Sequence, residues 1–207
     1  MGRWIIVLLT ALVVGVATTG AASAGVPNPS LSTVPNIVLS PDGTMPTTII
    51  VVGDEGPIDT ALVQIVFSSE TAGIVCWCTG QTQPLIQGQT NASGVATFIV
   101  AGGGCVQPGL VTTPPAVEVF ANGILLAEVG TVSVDAVDDS GLLPTEGWSP
   151  GTLCTSGLTD ATEHTAPIST GAYSYCSDID SDLDCDLDDA VALTPGIKTG
   201  IACTQAP

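Results

Sequence analysis

The chain has 207 residues, of which twenty are acidic and only two basic, giving a net charge of −18. So few cations exclude nucleic acid and anionic membrane surfaces as partners, while leaving cations and basic proteins open. Aromatic residues make up 4 % of the chain, so any core is built chiefly from valine, isoleucine, leucine and alanine.

The first 24 residues differ from the rest. Arg3 is followed by the apolar run WIIVLLTALVVGVA and then by small residues, the layout of a secretory signal peptide with cleavage after Ala24. The run has 14 residues, short of the ~20 that span a bilayer. A secreted or cell-surface protein with no membrane span after signal removal is expected. All seven cysteines follow, at 76, 78, 105, 154, 176, 185 and 203. In an exported chain they predict disulfides with one thiol left over. Proximity suggests Cys105 with Cys76 or Cys78, Cys154 with Cys176, and Cys185 with Cys203. Cys76-Trp77-Cys78 lacks the CxxC spacing of a zinc site.

Residues 26–46 are rich in proline, asparagine and serine around Ile37-Val38-Leu39, an extended lead-in with a first edge strand. Short β-branched runs then recur at 47–52, 61–67, 73–78, 95–101, 116–121 and 124–137. Turn residues bound them, such as Gly53-Asp54-Glu55-Gly56-Pro57, Asn91-Ala92-Ser93-Gly94 and Asn122-Gly123. Short strands without helical period predict an all-β antiparallel sandwich over 25–137. Alternation puts Val63, Ile65 and Phe67 on a core face and Ala96, Phe98 and Val100 on one face of a second strand. Asn122-Gly123, between two apolar runs, predicts a type I′ hairpin.

The stretch TNASGVATFIV (Thr90 to Val100), preceded by GPIDTALVQIVFSS and followed by AVEVFANGILLAEVGTVSV, resembles bacterial immunoglobulin-like domains of the invasin and intimin type. The resemblance covers about residues 35–135. It implies a Greek-key β-sandwich serving as a spacer or adhesive module on bacterial surfaces.

Residues 138–207 read as a second unit. From 138 to 176 the chain is loop-like, with one helical turn at most over Leu158 to His164. His164, the only histidine, is expected in a solvated loop. No nucleophile motif such as GxSxG accompanies it, so no enzyme is expected.

The sequence DIDSDLDCDLDD follows, Asp178 to Asp189, with seven aspartates in twelve residues. Each like-charged pair at ~6 Å costs about 0.7 kcal/mol in water, and a hard divalent cation is the natural neutraliser because it prefers carboxylate oxygens. An EF-hand frame from Asp178 puts ligand positions 1, 3, 5, 7, 9 and 12 on Asp178, Asp180, Asp182, Asp184, Asp186 and Asp189. Position 7 offers its backbone carbonyl, and position 9 often acts through water. A frame two residues later puts Val191 at position 12. The sixth position, where glycine supplies positive φ, is Leu183, at a cost of about 1–2 kcal/mol. The eighth is Cys185.

With Asp189 at position 12, a short AVAL segment and a C-terminal cysteine, about residues 175–203 resemble a degenerate dockerin-type calcium-binding repeat. The resemblance implies a calcium loop followed by a helix, here cut short by Pro195-Gly196. A second loop survives only as a remnant frame from Asp135, with Asp139 and Glu146 at positions 5 and 12. The expectation is an extracellular binding or structural module with a weak calcium site, at roughly 10⁻⁴ to 10⁻³ M, whose partner is another extracellular protein or a polysaccharide. The alternative is a carbohydrate-binding or adhesive accessory module with its site on the sandwich, for which Trp77, Trp148, Tyr173 and Tyr175 are the aromatic candidates.

Overall fold

A computed structural model describes residues 25–41, 43–78, 85–109, 111–112, 115–135, 153–155, 158–197 and 202–204. Residues 1–24, expected to be a leader, and Trp148, Asp139 and Glu146 lie outside the described residues. The described strands are β1 (Ile37–Ser40), β2 (Pro46–Ile50), β3 (Val52–Gly53), β4 (Gly56–Pro57), β5 (Leu62–Phe67), β6 (Cys76–Trp77), β7 (Leu85–Gln89), β8 (Val95–Gly103), β9 (Val117–Ala121), β10 (Ile124–Val129), β11 (Thr131–Ser133), β12 (Leu153–Thr155) and β13 (Ala202–Thr204). The helices are α1 (Ser69–Ile74), α2 (Leu158–Thr170) and α3 (Leu187–Leu193).

One sheet is ordered β11-β1-β8-β2, with β6 also paired to β8, and the other is ordered β10-β9-β5-β7. A single apolar cluster fills the space between them. Ile37, Leu39, Ile49, Phe98 and Val100 contribute from the first sheet, and Val63, Ile65, Phe67, Val117 and Val119 from the second. The alternation read from the sequence thus puts the expected faces inside. Each fully buried aliphatic or Phe side chain contributes about 1.5–3 kcal/mol.

The local chemistry accounts for two joints. Asn122 and Gly123 both take positive φ, 48° and 79°, as a type I′ turn between β9 and β10 requires. At Gly130 the chain leaves β10 in one sheet and enters β11 in the other. A Cβ there would meet the Tyr175 hydroxyl and the Val106 carbonyl at 2.1 and 2.2 Å, so only glycine lets the crossing lie flat against both.

Three expectations are corrected. β1 is no edge strand: it runs parallel between β11 and β8, and all four of its residues are buried. Ile37 and Leu39 enter the main cluster, while Val38 joins a second cluster on the opposite face, with Met45, Val132, Val134, Ile179 and Leu193. Covered on both sides, the strand reads as a continuous apolar run. The run at 73–78 begins instead within α1, whose N-cap Ser68 accepts from the Thr71 N–H at 3.1 Å. The segment expected to be loop contains α2, 13 residues long. Its TEHTAPIST stretch is rich in poor helix formers, with Pro167 inside it and threonine hydroxyls bonding back to carbonyls four residues earlier, as Thr170 does to Ala166 at 2.8 Å. Tertiary contacts through His164 and Ile168 hold it.

The cysteine pairing also differs from the one proximity suggested. Cys105 bridges Cys176, 71 residues away, so Cys154 does not pair with Cys176. Cys76 and Cys78 are disulfide-bonded as well. Cys185 is a buried free thiol, so the Cys185–Cys203 bridge is ruled out. Sequence proximity misled because the tail folds back onto the first sheet, bringing Cys176 beside Cys105. The small two-stranded antiparallel sheet of β12 and β13 lies against β6.

The Cys105–Cys176 bridge closes a long loop, and chain entropy assigns such a crosslink roughly 4 kcal/mol. The double variant Cys105→Ser/Cys176→Ser is expected to lose about that much in urea unfolding. A loss below ~1 kcal/mol would show that the apolar contacts alone hold the tail in place.

Candidate metal centre

The aspartate loop begins where a 3₁₀ turn, Tyr175–Ser177, leaves the disulfide, and it ends in α3. Its two terminal carboxylates are buried, each 1 % exposed, while Asp180, Asp182, Asp184 and Asp186 face solvent. Backbone N–H groups aim them. Asp178 accepts from the amides of Asp182 at 3.0 Å and Leu183 at 3.2 Å. Asp189 Oδ1 accepts from Ile179 at 2.6 Å, and Oδ2 accepts from Asp186 at 2.9 Å. Asp189 therefore closes the loop and completes the capping box of α3 with Asp186. Leu183 sits at φ 77°, the left-handed conformation expected of the sixth position, with its side chain 79 % exposed.

The six residues of the ligand frame fall into two triplets, Asp178, Asp180, Asp182 and Asp184, Asp186, Asp189. Within each, one oxygen per residue lies within 4.8 Å of the others. Oxygen ligands at 2.3–2.6 Å from Ca²⁺ stand up to about 5 Å apart across the ion, so either triplet is the right size for a cation. Each carboxylate oxygen has two lone pairs, so one that accepts a single N–H can still face an ion. The donor set is hard: the Cys185 thiol is turned onto Ser174, donating to its carbonyl at 3.3 Å.

The local field records the crowding. Asp180 and Asp184 are both held above the usual carboxylate range, first by desolvation and then by neighbouring charge, from Asp189 and Asp182 on the former and from Asp182 and Asp186 on the latter. Tyr173 is raised by desolvation, then by the charge of Asp178 and a hydrogen bond to it.

His164 is not a solvated loop residue. It is 1 % exposed, with Nε2 at 3.2 Å from both the Ser133 and Val134 carbonyls and Nδ1 at 3.1 Å from Ser177 Oγ. Two carbonyls can only accept, so Nε2 carries the proton and Nδ1 accepts from the serine. The Ser–His pair is sealed from substrate, and its role is to tie α2 to the end of β11 and to the residue before Asp178. Neither its burial nor this role was legible, because no sequence pattern marks which face of α2 turns inward.

The aromatic candidates are mostly withdrawn. Trp77 is 1 % exposed, donates to the Ala72 carbonyl at 2.9 Å and stacks edge-on against Phe67. Tyr175 donates to Asn36 Oδ1 at 2.7 Å and packs against the second cluster. Among the described candidates only Tyr173 is exposed. On α3, Leu187 and Val191 stand exposed four residues apart, turned away from the buried Asp189 and Leu193.

Comparison with protein families, curated proteins and solved structures returns no match for this chain.

Burial depresses the His164 pKa below its ordinary 6.5, outweighing the carbonyls of Val134 and Ser133 and the charges of Asp189 and Glu163, which act the other way. Above pH 6.5 the folded and unfolded histidines are both neutral. Below it the unfolded chain binds the proton first, so stability falls as pH drops from there toward the folded pKa. Metal-free unfolding curves between pH 7.5 and 5 should show this decline, and His164→Gln should flatten it. An unchanged slope in the variant would refute the assignment. Asp180 and Asp184 act with opposite sign at lower pH, since folded carboxyls with raised pKa bind protons first and protonation relieves their repulsion.

Leu183→Gly loses no buried contact and removes the left-handed penalty of about 1–2 kcal/mol, partly offset by glycine's greater freedom when unfolded. A net gain of up to ~1 kcal/mol is expected in denaturant unfolding. A loss would mean that the exposed leucine packs on something in solution.

Proposed function

We propose that the chain is an exported, non-catalytic binding or structural module: an immunoglobulin-like Greek-key sandwich of the invasin and intimin type carrying a degenerate dockerin-like tail that calcium orders. The observation that carries the reading is the pair of aspartate triplets, Asp178/Asp180/Asp182 and Asp184/Asp186/Asp189, in a loop closed by Asp178 and Asp189 with Leu183 at positive φ. An all-oxygen donor set of this spacing suits Ca²⁺, whereas Mg²⁺ demands near-ideal octahedral geometry and gives up its waters reluctantly. Disulfides at Cys105–Cys176, Cys76 and Cys78 suit an oxidising, extracellular compartment. The sealed Ser177–His164 pair argues against hydrolytic chemistry there. The exposed Leu187 and Val191, set among carboxylates, suit a basic extracellular protein as partner.

Calorimetric titration with calcium tests the reading. Binding at roughly 10⁻⁴ to 10⁻³ M is expected, and 10 mM calcium should then stabilise the fold by about 1.4–2.7 kcal/mol. Asp178→Asn/Asp189→Asn should abolish both effects. No heat, together with a melting temperature indifferent to chelator, rejects the calcium-ordered tail.

A further inference from the structure

Between the first sheet and the tail lies a half-open cleft of about 310 Å³, at the lower end of the range of small-ligand pockets. Its walls are apolar: Val38, Met45 and Pro46 on the sandwich side, Ile179 and Ala192 on the tail side. Thr44 also lines it, but its hydroxyl donates to the Pro195 carbonyl at 3.3 Å. The one charged side chain among the described lining residues is Asp180, which is exposed. A concave apolar wall with one acidic residue in its lining, on a chain of net charge −18, selects a ligand with an alkyl body and one positive end. Carboxylates and other anions are rejected by Asp180 and by the field of the neighbouring aspartates.

We propose that this cleft binds an aliphatic ammonium group, its alkyl stem against Met45 and Ile179 and its ammonium on Asp180. A free aliphatic amine and a lysine side chain share that chemistry. Because Asp180 also belongs to the first aspartate triplet, an ammonium in the cleft and a cation in the loop compete for one carboxylate. The proposal rests on the cleft and on Asp180 rather than on calcium binding, so the two readings fail separately.

The test is titration of the full chain, in calcium-free buffer, with n-butyl-, n-pentyl- and n-hexylammonium, followed by the ¹³C-methyl signal of Met45. Met1 is the only other methionine. The Met45 methyl is expected to shift, and affinity to rise about fourfold for each methylene buried. Asp180→Asn should weaken binding about tenfold, as for loss of a hydrogen bond to a charged group. n-Hexanoate should not bind, and Ala192→Leu, which narrows the cleft, should weaken every amine. Nα-acetyl-lysine methylamide in parallel names the source, since whichever of it and hexylammonium binds tighter points to lysine or to a free amine. Should Ala192→Leu perturb folding, the chain-length series and the Met45 shift still decide. A Met45 signal that does not move, an affinity independent of chain length, or hexanol binding as tightly as hexylammonium would overturn the proposal.

Discussion

Seven like charges in twelve residues can be kept together only if something other than their own packing holds the loop, and backbone amides do this. At ~5 Å each aspartate pair repels by about 0.8 kcal/mol in water, and by several times that near a protein surface. Hydrogen bonds from amides to carboxylates are among the stronger ones in proteins, at about 1.5–3 kcal/mol each. Asp178 and Asp189 each take at least two of them. Those two carboxylates are buried, and the five between them project into solvent, where the charge is screened. The loop is thus pinned at its ends and repelled in its middle, which leaves its exposed acids close together.

The pins depend in turn on the sandwich. Ile179, whose amide donates to Asp189, is buried with Val38, Val132, Val134 and Leu193 in the second apolar cluster. Val38 and Val132 belong to β1 and β11, whose partner faces close the main core. The Cys105–Cys176 bridge fixes the chain immediately before the loop, and His164 ties Ser177 to the carbonyls ending β11. Four kinds of contact therefore converge within a few residues of Asp178. The tail behaves as an outer layer of the first sheet rather than as an appendage.

That convergence explains what the sequence revealed and what it hid. Strand faces in β5 and β8 were legible because a period of two survives wherever one face meets the core, and the Asn122-Gly123 turn because few residue pairs accept positive φ twice. The gathering of acids in the loop was legible for a similar reason: acid spacing in a loop is a local property. β1 was misread as an edge because it is short and set among prolines, although its unbroken Ile-Val-Leu run was the mark of a strand covered on both faces. α2 was hidden because its stability comes from the surfaces it touches rather than from its residues. The disulfides were hidden because pairing follows the path of the tail, which no local pattern encodes.

Leu183 is the residue where the path of the loop and its chemistry conflict. Its positive φ is required by the path of the loop, and it is the residue whose chemistry least suits that path. Its side chain lies almost wholly in solvent, so no packing repays the strain. The strain must be offset by the bonds that fix the loop around it, chiefly the amide of Leu183 itself donating to Asp178 at 3.2 Å. An ion held by Asp178, Asp180 and Asp182 would draw on the same carboxylate and tighten the turn that Leu183 opposes. Any affinity of the loop for a cation would then be set by a balance between one strained residue and one buried carboxylate, the latter next to Ile179 in the layer that joins the tail to the sandwich.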